Sequence, residues 1–301
     1  MKNNLNNVKI IKYKNTIKSI YYNDYYFNSD DPIGEVNYVY IKGNNLLQRL
    51  DKQQNFVIGE LGFGSGLNFL VTFDFFTKLK SKTYLHYISF EKNPLNQYQL
   101  RKIYNNFKTL NRLSKKLLKK MPLKSTGIHD LSFDEENVRL TLIYHDFDYL
   151  KKLPFYADAW FLDGFTPHKN KSAWTDVVLK NVFEKTNQQG TLSTFTSSTK
   201  IRKTLVEVGF EVFKKKGFLK KREMIVGRKI DSQKKINLNS FNFKFEPVAI
   251  IGGGISGCSV SYALSKRNIE CFIVEKGLNR GSGASGNFLA FQMPNLTLDN
   301  S

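Results

Sequence analysis

The chain has 301 residues, 41% of them hydrophobic, and 46 lysines and arginines against 26 aspartates and glutamates, a formal net charge of +20. One large or two modest domains are expected from that length, and 25 phenylalanines with 15 tyrosines exclude a disordered, core-less chain. So much positive charge attracts polyanions and points to nucleic acid as the partner, the alternative being compositional drift toward lysine. The two cysteines, Cys258 and Cys271, cannot make a disulfide framework. The opening MKNNLNNVKI carries no apolar signal run. No segment has the roughly 18 uninterrupted apolar residues of a membrane span. A cytoplasmic protein with no membrane attachment is the expectation; the oligomeric state is left open.

In chain order, Lys9–Lys18 and Asp24–Lys42 read as short strands joined by turns, a β-rich N-terminal extension. A β–α alternation begins at the apolar strand Phe56–Glu60, followed by a glycine loop and a helix over about Leu67–Lys80. Strands follow at Leu85–Phe90, Val138–Tyr144, Ala157–Leu162 and Gly190–Thr196, and shorter ones at Phe210–Phe213 and Glu223–Val226. Helices are placed from about Leu95, near Ser172–Glu184 and over Thr199–Val208, with a basic amphipathic segment at Arg112–Lys124. This predicts an α/β fold of the Rossmann-like kind, a mostly parallel sheet covered on both faces. Residues 1–230 form the first domain, 231–246 a polar linker, and 247–301 a second strand–turn–helix–strand unit.

The first glycine loop holds Gly62, Gly64 and Gly66 between a strand and a helix. Glycine lets backbone approach a ligand closely, and the helix N-terminus offers unpaired N–H groups. By itself the loop also fits a nucleotide or dinucleotide fold, or a plain turn. No Lys-Ser/Thr follows, which excludes a Walker loop. Glu60 precedes the loop, where a carboxylate suits a cationic ligand better than a pyrophosphate. Glu91 ends the next strand, the place of a ribose-binding acid. A sulfonium cofactor with a ribose and no phosphate, S-adenosylmethionine, matches this set. Asp146 ends the third strand, placed either to bind the adenine amino group or to cap a helix.

Asp163 ends the fourth strand in Trp160-Phe-Leu-Asp-Gly-Phe165. Ligands of open α/β sheets bind beyond such strand ends. An aspartate there can hold an amine and take its proton, or cap the next turn. Phe165 is placed to pack on a base or on the target side chain. The four histidines, His86, His129, His145 and His168, show no metal-ligand spacing, so no metal site is expected.

The run Gly59-Glu-Leu-Gly-Phe-Gly-Ser-Gly-Leu-Asn-Phe-Leu70 resembles the methyltransferase domain of the bifunctional tRNA 5-methylaminomethyl-2-thiouridine biosynthesis proteins. So do Trp160–Asn170 with Trp174, Lys220-Lys-Arg-Glu-Met224, Asp24-Tyr-Tyr-Phe27 and Gly43-Asn-Asn-Leu46, covering about residues 10–230. The resemblance implies methyl transfer from S-adenosylmethionine to the aminomethyl group of a tRNA wobble uridine. It makes Asp163 the acid beside the reacting amine, and Glu60, Gly62, Gly64, Gly66, Glu91 and Asp146 the cofactor lining. It also makes Lys221 and Arg222, with the runs at Lys115, Lys119 and Lys214, candidate tRNA contacts. A small amine is a competing substrate, which the charge disfavours. A non-enzymatic basic tRNA-binding protein is another reading, against which the intact acids and glycines stand.

Farther on, Gly252, Gly254 and Gly257 follow the strand at Val248 in G-x-G-x-x-G spacing, and Glu275 closes the next strand. That is a dinucleotide-binding fingerprint in its proper context. Gly283–Asn287 resembles the same family's second, FAD-dependent oxidoreductase domain, which removes a carboxymethyl group to expose the amine. Ala290 stands where that resemblance calls for glycine, and the sequence ends at Ser301. The expectation is therefore that this FAD unit is truncated and its oxidase activity absent, or completed by another chain.

Overall fold

The computed structural model describes residues 8–13, 16–230, 247–267, 269–279, 281 and 283–287. The chain divides into two compact units, residues 1–235 and 236–301. The linker expected at 231–246 and Ala290 lie outside the described residues.

The first unit opens with a three-stranded antiparallel sheet, β1 (Ile10–Tyr13), β2 (Thr16–Ser19) and β3 (Asp24–Tyr25). Of the short strands expected over Asp24–Lys42, only β3 is present. Helix α1 (Pro32–Val36), a π-helical turn over Asn37–Lys42 and α2 (Leu46–Arg49) occupy that stretch. Asp31 accepts a hydrogen bond from the Gly34 N–H at 2.8 Å, and Pro32 takes the first helical position. These are helix-starting features. Val36, Val39 and Tyr40 then bury at helical spacing, which outweighs the strand preference of β-branched and aromatic residues.

The main sheet is built from β4 (Asn55–Leu61), α3 (Leu67–Leu79), β5 (Tyr84–Phe90), α4 (Gln97–Tyr104) and α5 (Asn111–Lys120). It continues with β6 (Gly127–Phe133), β7 (Val138–Tyr144), β8 (Ala157–Leu162), α6 (Asp176–Glu184), β9 (Thr186–Thr194), α7 (Thr199–Glu207), β10 (Phe210–Lys216) and β11 (Glu223–Lys229). The strand order is β10-β11-β9-β8-β4-β5-β7-β6. The five central strands are parallel, and β6, β10 and β11 join antiparallel. Edge strand β6 was not foreseen. Its polar His129 and Asp130 interrupt the apolar pattern, and its first half is exposed or only half-buried. Strand β4 pairs with β5 on one side and with β8 on the other. The chain thus reverses its direction of winding at β4, and the carboxyl ends of β4 and β8 flank the crevice where such folds bind ligands.

Asn44 fastens the helical extension to this crevice. It is fully buried, and its amide donates to the Tyr40 carbonyl at 3.0 Å, the Ser193 hydroxyl at 2.6 Å and the Trp160 carbonyl at 3.3 Å. Arg49 adds bonds to the Asn44 carbonyl and the Asp158 carbonyl.

The second unit is a two-stranded parallel sheet, β12 (Val248–Ile251) and β13 (Cys271–Val274), with α8 (Ile255–Ser265) between the strands in sequence. The expected strand–turn–helix–strand is present. A Cβ at Gly257 would stand 1.9 Å from the Gly252 carbonyl oxygen, so the helix can pack this closely on the turn only with glycine there.

Asn44→Ala removes the side-chain bonds to the Trp160 carbonyl and to the Ser193 and Thr191 hydroxyls. It should destabilise the first unit by roughly 1–3 kcal/mol, read as a lower midpoint in urea unfolding. An unchanged midpoint would mean that Asn44 does not hold the extension.

Candidate active site

The carboxyl ends of β4, β5 and β8 open into a cavity of about 660 Å³ whose wall includes Gly62, Gly64, Glu91, Asp163, Phe165 and Lys221. After β4 the N–H groups of Gly62 and Phe63 both donate to the Phe90 carbonyl, at 3.0 and 2.9 Å, tying the loop to the end of β5. Gly62 has φ +95°, and a Cβ there would lie 3.1 Å from the Gly164 Cα, so the loops after β4 and β8 touch backbone to backbone. Gly66 caps α3 in the left-handed conformation, where a Cβ would stand 2.6 Å from the Phe63 ring. Gly66 therefore shapes the loop from behind and is not in the cavity wall.

Glu91 follows β5 and is half-buried. Its carboxylate accepts from the Gly64 N–H at 2.8 Å and from the Asn93 N–H at 2.7 Å. Burial raises its pKa and those backbone donors oppose the rise. Each oxygen keeps a lone pair for a ribose hydroxyl. A glycine-lined loop, a half-buried acid and a cavity of this volume fit a nucleoside-sized cofactor. Asp146 stands outside the cavity wall. One of its oxygens accepts from the Phe147 N–H at 2.8 Å and the other pairs with Lys92.

Glu60 is not in the wall either; it is fully buried beneath it. Its oxygens accept from Asn68 Nδ2 at 2.8 Å and Ser89 Oγ at 2.6 Å. The same Asn68 nitrogen donates to Asp163 Oδ2 at 2.6 Å. One amide thus bridges the two carboxyls. Burial pushes Glu60 up to about 8, against the pull of the Ser89 hydrogen bond. Burial raises Asp163 to about 6, while Asn68 and Tyr40 favour its charged form. Two carboxylates this close in a low-dielectric setting do not both ionise readily. Glu60 holds the proton and Asp163 the charge near neutral pH.

The N-terminal sheet supplies the opposite wall. Asp24 accepts from the Thr166 N–H at 2.8 Å and the Thr166 hydroxyl at 2.5 Å, and pairs with Lys169 at 3.2 Å. Burial works against this carboxylate's charge, but the Thr166 and Lys169 bonds prevail and hold its pKa below the usual range. The clamp fixes the loop after Asp163, on which Phe165 stacks against Tyr22 with ring centroids 4.5 Å apart. Lys221 reaches the cavity, pairing with Glu35 at 2.7 Å and lying 4.7 Å over the Phe195 ring; Arg222 is exposed and outside the wall.

Asn68, Tyr40 and Asp24 escaped the sequence reading as site residues. The signal for Asn68 was a lone amide within the apolar run Leu67–Val71; such a residue, a poor helix former, needs a buried partner. In the second unit Gly252 has φ +97°, and Glu275 accepts from the Gly253 and Gly277 N–H groups. This closes the glycine turn against the end of β13. Among the described residues no group of His, Cys, Asp or Glu could hold a metal ion, and no helix is long and apolar enough to cross a membrane.

Residues 108–230 match the family described as S-adenosyl-L-methionine-dependent methyltransferase, and residues 247–300 match FAD dependent oxidoreductase. Two regions of the chain are thus similar to the S-adenosylmethionine-dependent methyltransferases and, farther on, to the FAD-dependent oxidoreductases. Most of the chain's length is similar to the first part of the tRNA 5-methylaminomethyl-2-thiouridine biosynthesis bifunctional proteins. The protein of that name from Marinobacter nauticus is 36% identical over 90% of this chain and 44% of its own length. That from Campylobacter jejuni is 38% identical over 93% of this chain and 46% of its own length. The chain therefore spans less than half the length of these relatives. The crystal structure of MNMC2 from Aquifex aeolicus superposes with a TM-score of 0.61 at 25% identity, covering 73% of this chain and 70% of that one.

Glu60 binds its proton more tightly in the folded chain than in the unfolded one. The resulting stability is complete below the ordinary carboxyl value of 4.5 and is lost as pH climbs through about 8. Glu60→Gln, which cannot ionise, should lack this part of the decline. Calorimetric melting temperatures across that window test it; parallel curves for the two proteins would show that Glu60 is charged throughout.

Proposed function

We propose that the first unit transfers a methyl group from S-adenosylmethionine to the aminomethyl nitrogen of 5-aminomethyl-2-thiouridine at the wobble position of tRNA, giving 5-methylaminomethyl-2-thiouridine. The observation that carries this is Asp163, at the end of β8 in the cavity wall, held at one oxygen by Asn68. The cofactor supplies an electrophilic methyl group. The nucleophile must be a neutral amine, so an ammonium has to lose a proton on the enzyme. Asp163 is the base for that proton, and its raised pKa brings it nearer to the working pH than an ordinary aspartate. Gly62, Gly64 and Glu91 hold the cofactor, Gly66 shapes their loop, and Glu60 acts from below through Asn68. Asp146 orders the end of β7 and reaches the cofactor only through Lys92 or Phe147. Phe165 offers its ring face to the target base. Lys221 and Arg222 meet the RNA backbone, and the net charge of +20 suits a polyanionic substrate.

Residues 1–230 act as the methyltransferase domain, and 247–301 belong to the FAD-dependent domain. There Gly252, Gly254 and Gly257 approach the dinucleotide and Glu275 faces its ribose. The names of the bifunctional relatives support this pairing of domains, while the oxidase activity itself is proposed to be absent from this chain or completed by another.

The decisive assay is transfer of labelled methyl to tRNA bearing 5-aminomethyl-2-thiouridine. Asp163→Asn should lower the rate roughly 10²- to 10⁴-fold while calorimetry shows cofactor affinity retained. Full activity in that variant would remove Asp163 from the chemistry. In the wild type the rate should fall as pH drops through about 6, because protonated Asp163 cannot accept the proton. A pH profile flat through that region would overturn its role as base.

A further inference from the structure

The three-stranded sheet at the start of the chain presents a face that the methyl-transfer chemistry does not use. In its register Ile11 pairs with Lys18, and Lys18 with Tyr25. Tyr13 lies two residues beyond Ile11, and so on the same face. Tyr13 and Tyr25 are exposed, with ring centroids 5.4 Å apart, and Lys18 Nζ lies 5.8 Å from the Tyr25 ring centre. In the turn between β2 and β3, Tyr21 is 79% exposed. Tyr21 meets Tyr22 edge to face at 4.8 Å, and Tyr22 stacks on Phe165 at 4.5 Å. Rings therefore run without a break from solvent to within two residues of Asp163. Tyr13 and Tyr25 belong to the wall of the same cavity.

Solvent-facing tyrosines interleaved with lysine are the composition of a surface that stacks unpaired bases and neutralises their phosphates. A duplex offers no free base faces to such a surface. A second copy of this chain fits it poorly, because each copy carries a charge of +20. We propose that the face carrying Tyr13 and Tyr25, together with Tyr21 in the adjoining turn, is a stacking platform for the unpaired nucleotides of an RNA loop, flanking the one base that enters the cavity. This rests on the reading that the substrate is a tRNA, and it assigns the N-terminal sheet to the loop rather than to the helical stem.

The experiment measures fluorescence anisotropy of a labelled RNA stem-loop, and of the same stem closed as a blunt duplex, on the whole chain. Tyr21→Ala, outside the cavity wall, should weaken stem-loop binding about tenfold, the loss of roughly one stacked base. Duplex binding and S-adenosylmethionine affinity should be unchanged, which also shows that the variant is folded. Tyr21→Phe, which keeps the ring, should bind like wild type. Equal stem-loop affinities for wild type and the alanine variant, an equal loss on the duplex, or a wild-type dimer that the alanine dissociates would each overturn the platform. Methyl transfer is measured alongside. Transfer with tyrosine-independent binding sinks the platform alone; tyrosine-dependent binding without transfer sinks the methyltransferase reading alone.

Discussion

Two neighbouring parallel strands each deliver a carboxyl group toward the start of one helix, and a single amide stands between them. Asn68 spends its two N–H bonds on Glu60 and Asp163, and the rest of the crevice follows from that expenditure. Because Glu60 is sealed from solvent under the glycine loop, it cannot easily carry charge, and the charge is left to Asp163 at the cavity. Because Asn68 lies in the first turn of α3, the glycine loop and Asp163 are held by the same helix. The loop cannot shift without moving Asp163.

The second constraint is contact between backbones. Gly62 and Gly164 leave no room for a side chain between the loops after β4 and β8. Close approach at the reversal of winding brings the glycine loop and Asp163 to neighbouring positions, and under the proposed function positioning of that kind supplies much of the rate in group transfer. The N-terminal sheet completes the enclosure through Asp24, which grips the loop carrying Phe165.

Much of the sheet could be read from the sequence, because its central strands are apolar on both faces and are punctuated by glycine loops. The acids at strand ends were legible for the same reason: Glu91 and Asp163 break apolar runs where a parallel sheet opens. What the residues hid was direction. Glu60 reads as a cofactor contact by position, yet it points down into the core, since residue parity along β4 sets its face and a sequence without a register does not reveal which face is up. The helical stretch at 32–42 was hidden by its β-branched and aromatic residues, and the capping Asp31 with Pro32 outweighed them. Long-range partnerships such as Asp24 with Thr166 leave no local pattern. Glu275 and the second glycine turn, by contrast, are wholly local and lie where their spacing put them.

The Asp24–Thr166 clamp joins positions 142 residues apart. Loops of that length close slowly, and contacts across them form late in folding. Strand β4 likewise waits for β8 before its second edge is paired. As the chain is synthesised, β4, α3 and β5 can assemble early around their own apolar faces. The crevice comes into being only when the later strands arrive and the first residues of the chain fold back over them. The first sheet can therefore complete its docking only once the loop at Thr166 is in place.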